Sequence, residues 1–371
     1  MNAALERQAT ECGVRTVPVE RKFIDEKGLR HINNYVVGRR LGSGHFSSLK
    51  QYDLVDPGTG AVAGQFACKR YRKAVLARKK QFRKDPETGR PQIYSKLQEV
   101  LEEIKVLAML NHPHCLHLRE VLSTSRYDDS EDGKLYIITN LQACGAVMSL
   151  EDAQNEDDEE TFVPALPHKS TIPEAVCRCI IRDAAKGLLY MHEELNAAHR
   201  DVKPDNLLMG EDGTVQLGDM GTAEFMDARG RVRHTKGTYM FMAPESMRVS
   251  GADDEAPYTG HSGRAADVWA LGISLYVMLF GRTPFKATAC METLFEQLER
   301  GHVEIPPGEE SAVSEQGKEV LGALLQAEVK DRITLPQLLE HPWIKEADSR
   351  EAAAYAKRVL DAQSAAASAP A

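Results

Sequence analysis

The stretch AAHRDVKPDNLLMGEDGTVQLGDMG, residues 197–221, decides how this chain is read. NLLM (206–209) and TVQL (214–217) are short apolar runs, and GEDG (210–213) between them has the chemistry of a tight turn, which predicts a hairpin. A hairpin of that length brings its open ends together, so Asn206 and Asp219 become neighbours. An amide oxygen beside a carboxylate is hard oxygen ligation and suits Mg²⁺. Asp201 lies just before Asn206 on the same approach and can serve as a base toward a hydroxyl. Lys203 adds positive charge where a transferred phosphoryl group would need it, and Pro204 stiffens the loop. Each Asp alone reads as a turn or cap residue; the joint spacing is what points to a site.

Working outward, YVVGRRL, SSLKQYDLV and GQFACKRY read as strands from residue 35 onward, separated by turn sequences. In LGSGHF (41–46), Gly42 and Gly44 let backbone approach a ligand, and N–H groups there can bind phosphate oxygens. Alone, a Gly-x-Gly in a hairpin is more often only a turn. Lys69 lies in the apolar strand FACKRY, so it either snorkels out or meets an anion. The run LQEVLEEIKVLAML (97–110) has helical apolar spacing and carries Glu103 as a partner for Lys69, with Glu99 and Glu102 as competitors. KLYIITNL (134–141) returns to strand. After residue 172 helices dominate: one from Pro173 to about 192, and a buried one over 266–281. A strand-rich half therefore precedes a helix-rich half, a layout expected to give two lobes with a cleft where they meet.

Taken together and in order, these motifs resemble those of the eukaryotic protein kinases: Gly42 and Gly44, Lys69, Glu103, His199-Arg200-Asp201 with Lys203 and Asn206, Asp219, and Ala243-Pro244-Glu245. The resemblance covers about residues 33–345. It implies an α+β fold, bilobal, with a small β-rich N-lobe holding one main helix and a larger α-helical C-lobe. The boundaries it implies are an N-terminal extension (1–30), a kinase domain (31–345, lobes meeting at 141/142) and an Ala-rich tail (346–371). The implied activity is ATP-dependent phosphoryl transfer to protein Ser or Thr hydroxyls, since a Lys two residues after the loop Asp is similar to the serine/threonine type. ATP and Mg²⁺ are the implied cofactors. By the same resemblance Lys69 holds ATP phosphates, Asn206 and Asp219 hold metal, and Asp201 and Lys203 serve the transfer. Leu41, Leu49, Ala67 and Leu208 enclose the base, Asn140 and Gln142 lie in the hinge, and Thr139 is the gatekeeper. Asp267 braces the catalytic loop and Arg332 pairs with Glu245.

Within that family, ACGAVMSLED, LLMGEDGTVQLGDMG, GTYMFMAPES and LGISLYVMLFGRTPF are most similar to the calmodulin-dependent protein kinase kinases. That likeness implies protein substrates that include other kinases. Calmodulin stays an open partner, because no basic amphipathic segment with large anchors follows Trp343. The chain departs from the family pattern at Ser47, in place of the third loop glycine, and at Met220, in place of the usual Phe. Met can fill the same apolar space. Thr238 is expected to bond near Asp201 and Lys203. Thr235 is the candidate phosphosite, with Arg200 as its partner. A pseudokinase scaffold and a small-molecule kinase are the rival readings; filled catalytic positions oppose the first, and the Ala243-Pro244-Glu245 segment opposes the second.

Composition is that of an ordinary soluble globular protein: 371 residues, 42% hydrophobic and 27% charged. A net charge of −9 argues against nucleic-acid binding. No apolar run approaches the roughly 20 residues of a bilayer span, so no membrane contact is expected. The N-terminus does not read as a secretory signal. Seven scattered cysteines without a CxxC pair fit a reducing, cytoplasmic setting, and Cys177 and Cys179 read as helix packing. A monomer is expected. Residues 69–84 contain no acid and 151–160 no base; the plain reading is two solvated segments, the other a docking surface for an acidic partner.

Overall fold

A computed structural model describes residues 16–44, 46–84, 91–124, 133–153, 163–165, 171–232, 236–247, 260–285, 296–298, 303–309 and 312–368. The chain forms two compact units, one of residues Met1–Asn111 and Leu116–Gln142, the other of His112–Cys115 and Ala143–Ala371.

The first unit is built on a sheet. Its strands are β1 (Thr16–Pro18), β2 (Lys22–Ile24), β3 (Arg30–Ile32), β4 (Tyr35–Gly44), β5 (Ser47–Val55), β6 (Val62–Arg72), β9 (Leu118–Ser123) and β10 (Lys134–Asn140), in the order β1-β9-β10-β6-β5-β4-β3-β2. Helix α1 (Lys73–Arg78) follows β6, and a small hairpin of β7 (Lys80–Lys84) and β8 (Pro91–Ser95) leads into helix α2 (Lys96–Met109). Ser95 starts α2 through a capping box: its hydroxyl accepts from the Gln98 N–H, and Gln98 Oε1 accepts from the Ser95 N–H at 2.7 Å. One sheet face closes over Tyr35, Tyr52, Cys68, Leu122, Tyr136 and Ile138. Every residue from Leu135 to Thr139 of β10 is buried, so both faces of this strand are covered.

Of the expected N-terminal extension (1–30), the described residues from 16 onward contribute strands to the sheet. Residues 16–18 add to the sheet as a strand parallel to β9, and β2 and β3 extend its far edge. Asn33, at φ 49°, turns the chain, and its Oδ1 accepts from the N–H groups of Glu20 and Arg21. That side chain ties a polar segment down without any apolar periodicity. The basic run, read plainly as a solvated segment, is in part built into the fold: its first residues lie in β6, and Lys73 donates to the Thr124 carbonyl at 3.2 Å.

The second unit is mainly helical: α3 (Glu174–Glu193), α4 (Pro244–Met247), α5 (Gly263–Phe280), α6 (Glu315–Leu324), α7 (Leu335–Glu340), α8 (Pro342–Lys345) and α9 (Ser349–Ser368). Short strands join it: β11 (Gly145–Ala146), β12 (Glu151–Ala153), β13 (Val163–Ala165), β14 (Ala197–Ala198), β15 (Leu207–Met209), β16 (Val215–Leu217), β17 (Glu224–Phe225), β18 (Arg231–Val232) and β19 (His261–Ser262). Helix α5 has the length and hydropathy of a membrane span, but it is 83% buried inside this unit and is its core helix. Cys177 and Cys179 are buried on α3 as packing residues. Their thiols turn apart, one toward the Ile172 carbonyl and the other toward Asp348. Of the acidic stretch, residues 151–153 form β12, paired with β13; residues 154–160 lie outside the described residues.

The Ala-rich tail (346–371) carries a docked 20-residue helix, Ser349–Ser368. Ala352 and Ala356 of α9 are buried, Arg182 of α3 donates to the Ala347 carbonyl, and Gln363 Nε2 donates to the Cys144 carbonyl at 3.0 Å. Small side chains let the helix approach backbone closely. At Gly213 (φ 81°), in the turn between β15 and β16, a Cβ would sit 2.4 Å from the Ala352 carbonyl carbon.

Candidate active site

In the first unit the sheet register sets the candidate ATP-binding side chains. Lys69 on β6 lies between Leu49 on β5 and Ile137 on β10, and Ala67 lies opposite Thr139. Thr139 is buried; Leu41, Leu49 and Ala67 are half-buried. A Cβ at Gly42 would meet nothing within 4 Å, so this glycine leaves open space beside the β4–β5 turn. Lys69 Nζ donates to Glu103 Oε1 at 2.9 Å, and the Tyr71 hydroxyl donates to Oε2 at 3.3 Å. Glu103 is therefore the partner among the three glutamates. Glu99, buried on the same helix, pairs with Lys96, and Glu102 is exposed. Residue 140 is held by an exchange with His117: its N–H donates to the His117 carbonyl, and its Oδ1 accepts the His117 N–H at 2.8 Å. Gln142 is half-buried.

The second unit gathers the loop residues. The predicted hairpin is present, with Leu207 opposite Leu217 and Met209 opposite Val215. At its open end the Gly218 N–H donates to the Asn206 carbonyl at 2.8 Å, which sets Asp219 beside Asn206 in the chain path. Asp219 is exposed and left-handed (φ 51°), and its Oδ1 accepts the Gly221 N–H. Met220 next to it is buried, which fits a packing role. Asn206 Nδ2 donates to the Asp201 carbonyl at 2.7 Å and to Asp201 Oδ2 at 3.1 Å. Lys203 Nζ lies 3.2 Å from Asp201 Oδ2 and donates to Thr238 Oγ1 at 2.8 Å. Thr238 in turn donates both its N–H and its O–H to Asp201 Oδ1. Leu208 on β15 is half-buried.

Asp267 holds this loop from below. Fully buried on α5, it accepts from the N–H groups of His199 and Arg200 (2.8 and 2.7 Å) and from His192 Nε2 at 2.8 Å. Burial alone would raise its pKa; the His192 hydrogen bond and charge, His199 and the Arg200 N–H outweigh burial and hold it below the usual carboxylate value. His199 Nε2 points to the Gly218 carbonyl at 2.9 Å, linking the loop to the residue before Asp219. Arg332 spends all five donors: two on Glu245 (2.6 and 3.0 Å) and the rest on the carbonyls of Ala265, Gln326 and Ala327. Its guanidinium also lies over the Trp269 ring.

Two features escape a reading of the sequence. Arg200, expected to await a phosphate on Thr235, is ion-paired with Glu224; Thr235 itself lies outside the described residues. His192 as a donor to Asp267 is the other, and only its burial near the end of an apolar helix hints at it.

Comparison with known proteins agrees with this geometry. The protein kinase domain family matches residues 35–344, and the chain belongs to it. Its sequence is 31% identical over 323 residues to Serine/threonine-protein kinase GRIK2 of Arabidopsis thaliana, covering 86% of this chain and 67% of that protein. It is 30% identical to Serine/threonine-protein kinase ssp1 of Schizosaccharomyces pombe over 88% of this chain and 45% of that protein. To the calcium/calmodulin-dependent protein kinase kinase of Caenorhabditis elegans it is 28% identical, over 84% of this chain and 53% of that protein. The chain is thus an ATP-dependent protein serine/threonine kinase of the bilobal α+β class, similar to the calmodulin-dependent kinase kinases. Proteins of this family use ATP with Mg²⁺.

Proposed function

We propose that the chain moves the γ-phosphoryl group of ATP to Ser and Thr hydroxyls on the activation segments of other protein kinases. The observation that carries the transfer chemistry is the cluster in which Thr238, Lys203 and Asn206 converge on the Asp201 carboxylate. The name of the Caenorhabditis elegans relative supports kinases as the substrate class.

The roles follow from the chemistry of each group. Lys69, held by Glu103, is the cation for the α- and β-phosphates. Asp201, its carboxylate fixed by Thr238 and Asn206, accepts a hydrogen bond from the incoming hydroxyl and orients it for in-line attack. Lys203, beside the same carboxylate, offsets charge that develops on the transferred group. The donor set at the hairpin's open end fits a hard cation. Asn206 spends both amide hydrogens on Asp201, which leaves its oxygen as donor, and Asp219 adds an exposed carboxylate. Magnesium bound there would supply charge neutralisation at the β- and γ-phosphates. Residues 31–345 are the catalytic region in this reading, with protein substrates as partners and a cytoplasmic setting.

The test is transfer of labelled phosphate from ATP to catalytically dead kinases, with a generic protein as control, with and without Ca²⁺-calmodulin. Transfer into the activation segment of a kinase substrate, lost in Lys69→Met, supports the proposal. Strict preference for the generic protein would count against kinases as substrates.

A further inference from the structure

Arg200 is an arginine whose side chain is only 3% exposed, and a guanidinium so buried is costly unless its charge is compensated. Carboxylates near neighbouring His261 include Glu224, Glu245 and Asp267. Asp267 is spent on His192 and two backbone N–H groups, and Glu245 is bound in the fork of Arg332. The ion pair with Arg200 is made by Glu224.

Backbone geometry sets this pair. Strands β14 and β17 run antiparallel with Ala198 opposite Glu224, which delivers Glu224 to the loop just before Arg200. The segment that begins at Asp219 is thereby tied to the loop that carries Asp201. The same loop takes the far end of the segment. At Gly237 (φ 111°) a Cβ would lie 2.3 Å from the Arg200 carbonyl oxygen, and Thr238 clamps Asp201. Both ends of the segment thus rest on residues 198–201, one through a charge pair and one through close backbone contact.

We propose that Glu224 stands where an activation-segment phosphate would otherwise act, as a positioning residue that holds the loop of Asp201 so that transfer needs no phosphorylation of the segment. A phosphate brings a charge of about −1.5 to −2; one guanidinium is neutralised by a single carboxylate. The inference rests on the kinase reading above, and the test separates the two.

The full chain is treated with phosphatase, shown by mass spectrometry to carry no phosphate, and assayed for transfer to a generic protein. Wild type keeps its rate after treatment. Glu224→Gln, which preserves shape and removes charge, loses about tenfold or more, and Glu224→Asp keeps most of the rate. Added inorganic sulfate restores part of the Glu224→Gln rate, while chloride at equal ionic strength does not; loss of a purely structural contact would not respond to the anion. A wild type that loses its rate with its phosphate, a Glu224→Gln variant with full activity, or a variant indifferent to sulfate overturns the assignment. A wild type without transfer in either phosphorylation state overturns the kinase reading itself.

Discussion

Thr238 donates two hydrogen bonds to one oxygen of Asp201, from its N–H at 2.9 Å and from its hydroxyl at 2.8 Å. The hydroxyl also accepts from Lys203, so a single side chain fixes both a candidate base and a candidate cation. Thr238→Val keeps the volume and removes the hydroxyl. The expected result is a fall in kcat of about 100-fold with little change in the KM for ATP, because the loss falls on orientation at the reacting hydroxyl. Thr238→Ser should retain most of the rate. Steady-state kinetics on the three proteins checks this.

Arg332 with Glu245 is a buried pair whose geometry no lysine can reproduce. Lys lacks the planar fork and would leave the carbonyls of Gln326 and Ala327 and one Glu245 oxygen without their donors. Arg332→Lys should destabilise the second unit by about 3 kcal/mol. Urea unfolding followed by tryptophan fluorescence reads the loss, since Trp269 lies against the guanidinium.

Stability should depend on pH through His261. Burial first, then the nearby Arg200, push its pKa below 6.5, against the opposing pull of Glu245, Glu224 and Asp267. The unfolded chain takes up a proton at about 6.5 while the folded chain does not, so unfolding binds protons in that window. Stability is therefore full above pH 6.5 and falls as the pH drops toward the folded-state pKa. A thermal melt series from pH 8 to 5 should show a decline beginning at about 6.5, shallower in His261→Gln.

Helix α9 packs against the rest of the second unit. Ala356→Asp would bury a carboxylate against the Cys144 region and cost about 3 kcal/mol. Amide exchange should rise in residues 207–217, because α9 rests on the turn at Gly213. A variant with unchanged melting and exchange would show that the tail is not a structural member.

Much of this was legible beforehand because it is local. The β15–β16 hairpin follows from a four-residue turn between apolar runs; the partner of Lys69 does not, since helix period leaves Glu99, Glu102 and Glu103 open and only the family resemblance singles out Glu103. What the sequence hides is non-local. Strands β1 to β3 are three residues each; β1 is held by pairing with β9, and β2 and β3 by pairing with each other and with β4, so no periodicity announces them. The docking of α9 depends on alanines that merely permit close approach, a signal indistinguishable from low complexity. Glu224 carries no pattern of its own; it matters because a two-residue ladder sets it beside Arg200.

The central claim is that Asp219 acts chemically at the open end of the hairpin. The most direct test is a single-turnover measurement of labelled γ-phosphate transfer by Asp219→Ala, with its circular dichroism and melting compared with wild type. Asp219 is exposed, so the fold should be unchanged. The account predicts a loss of at least about 100-fold in the transfer rate; a folded Asp219→Ala protein that transfers phosphate at the wild-type rate would contradict it.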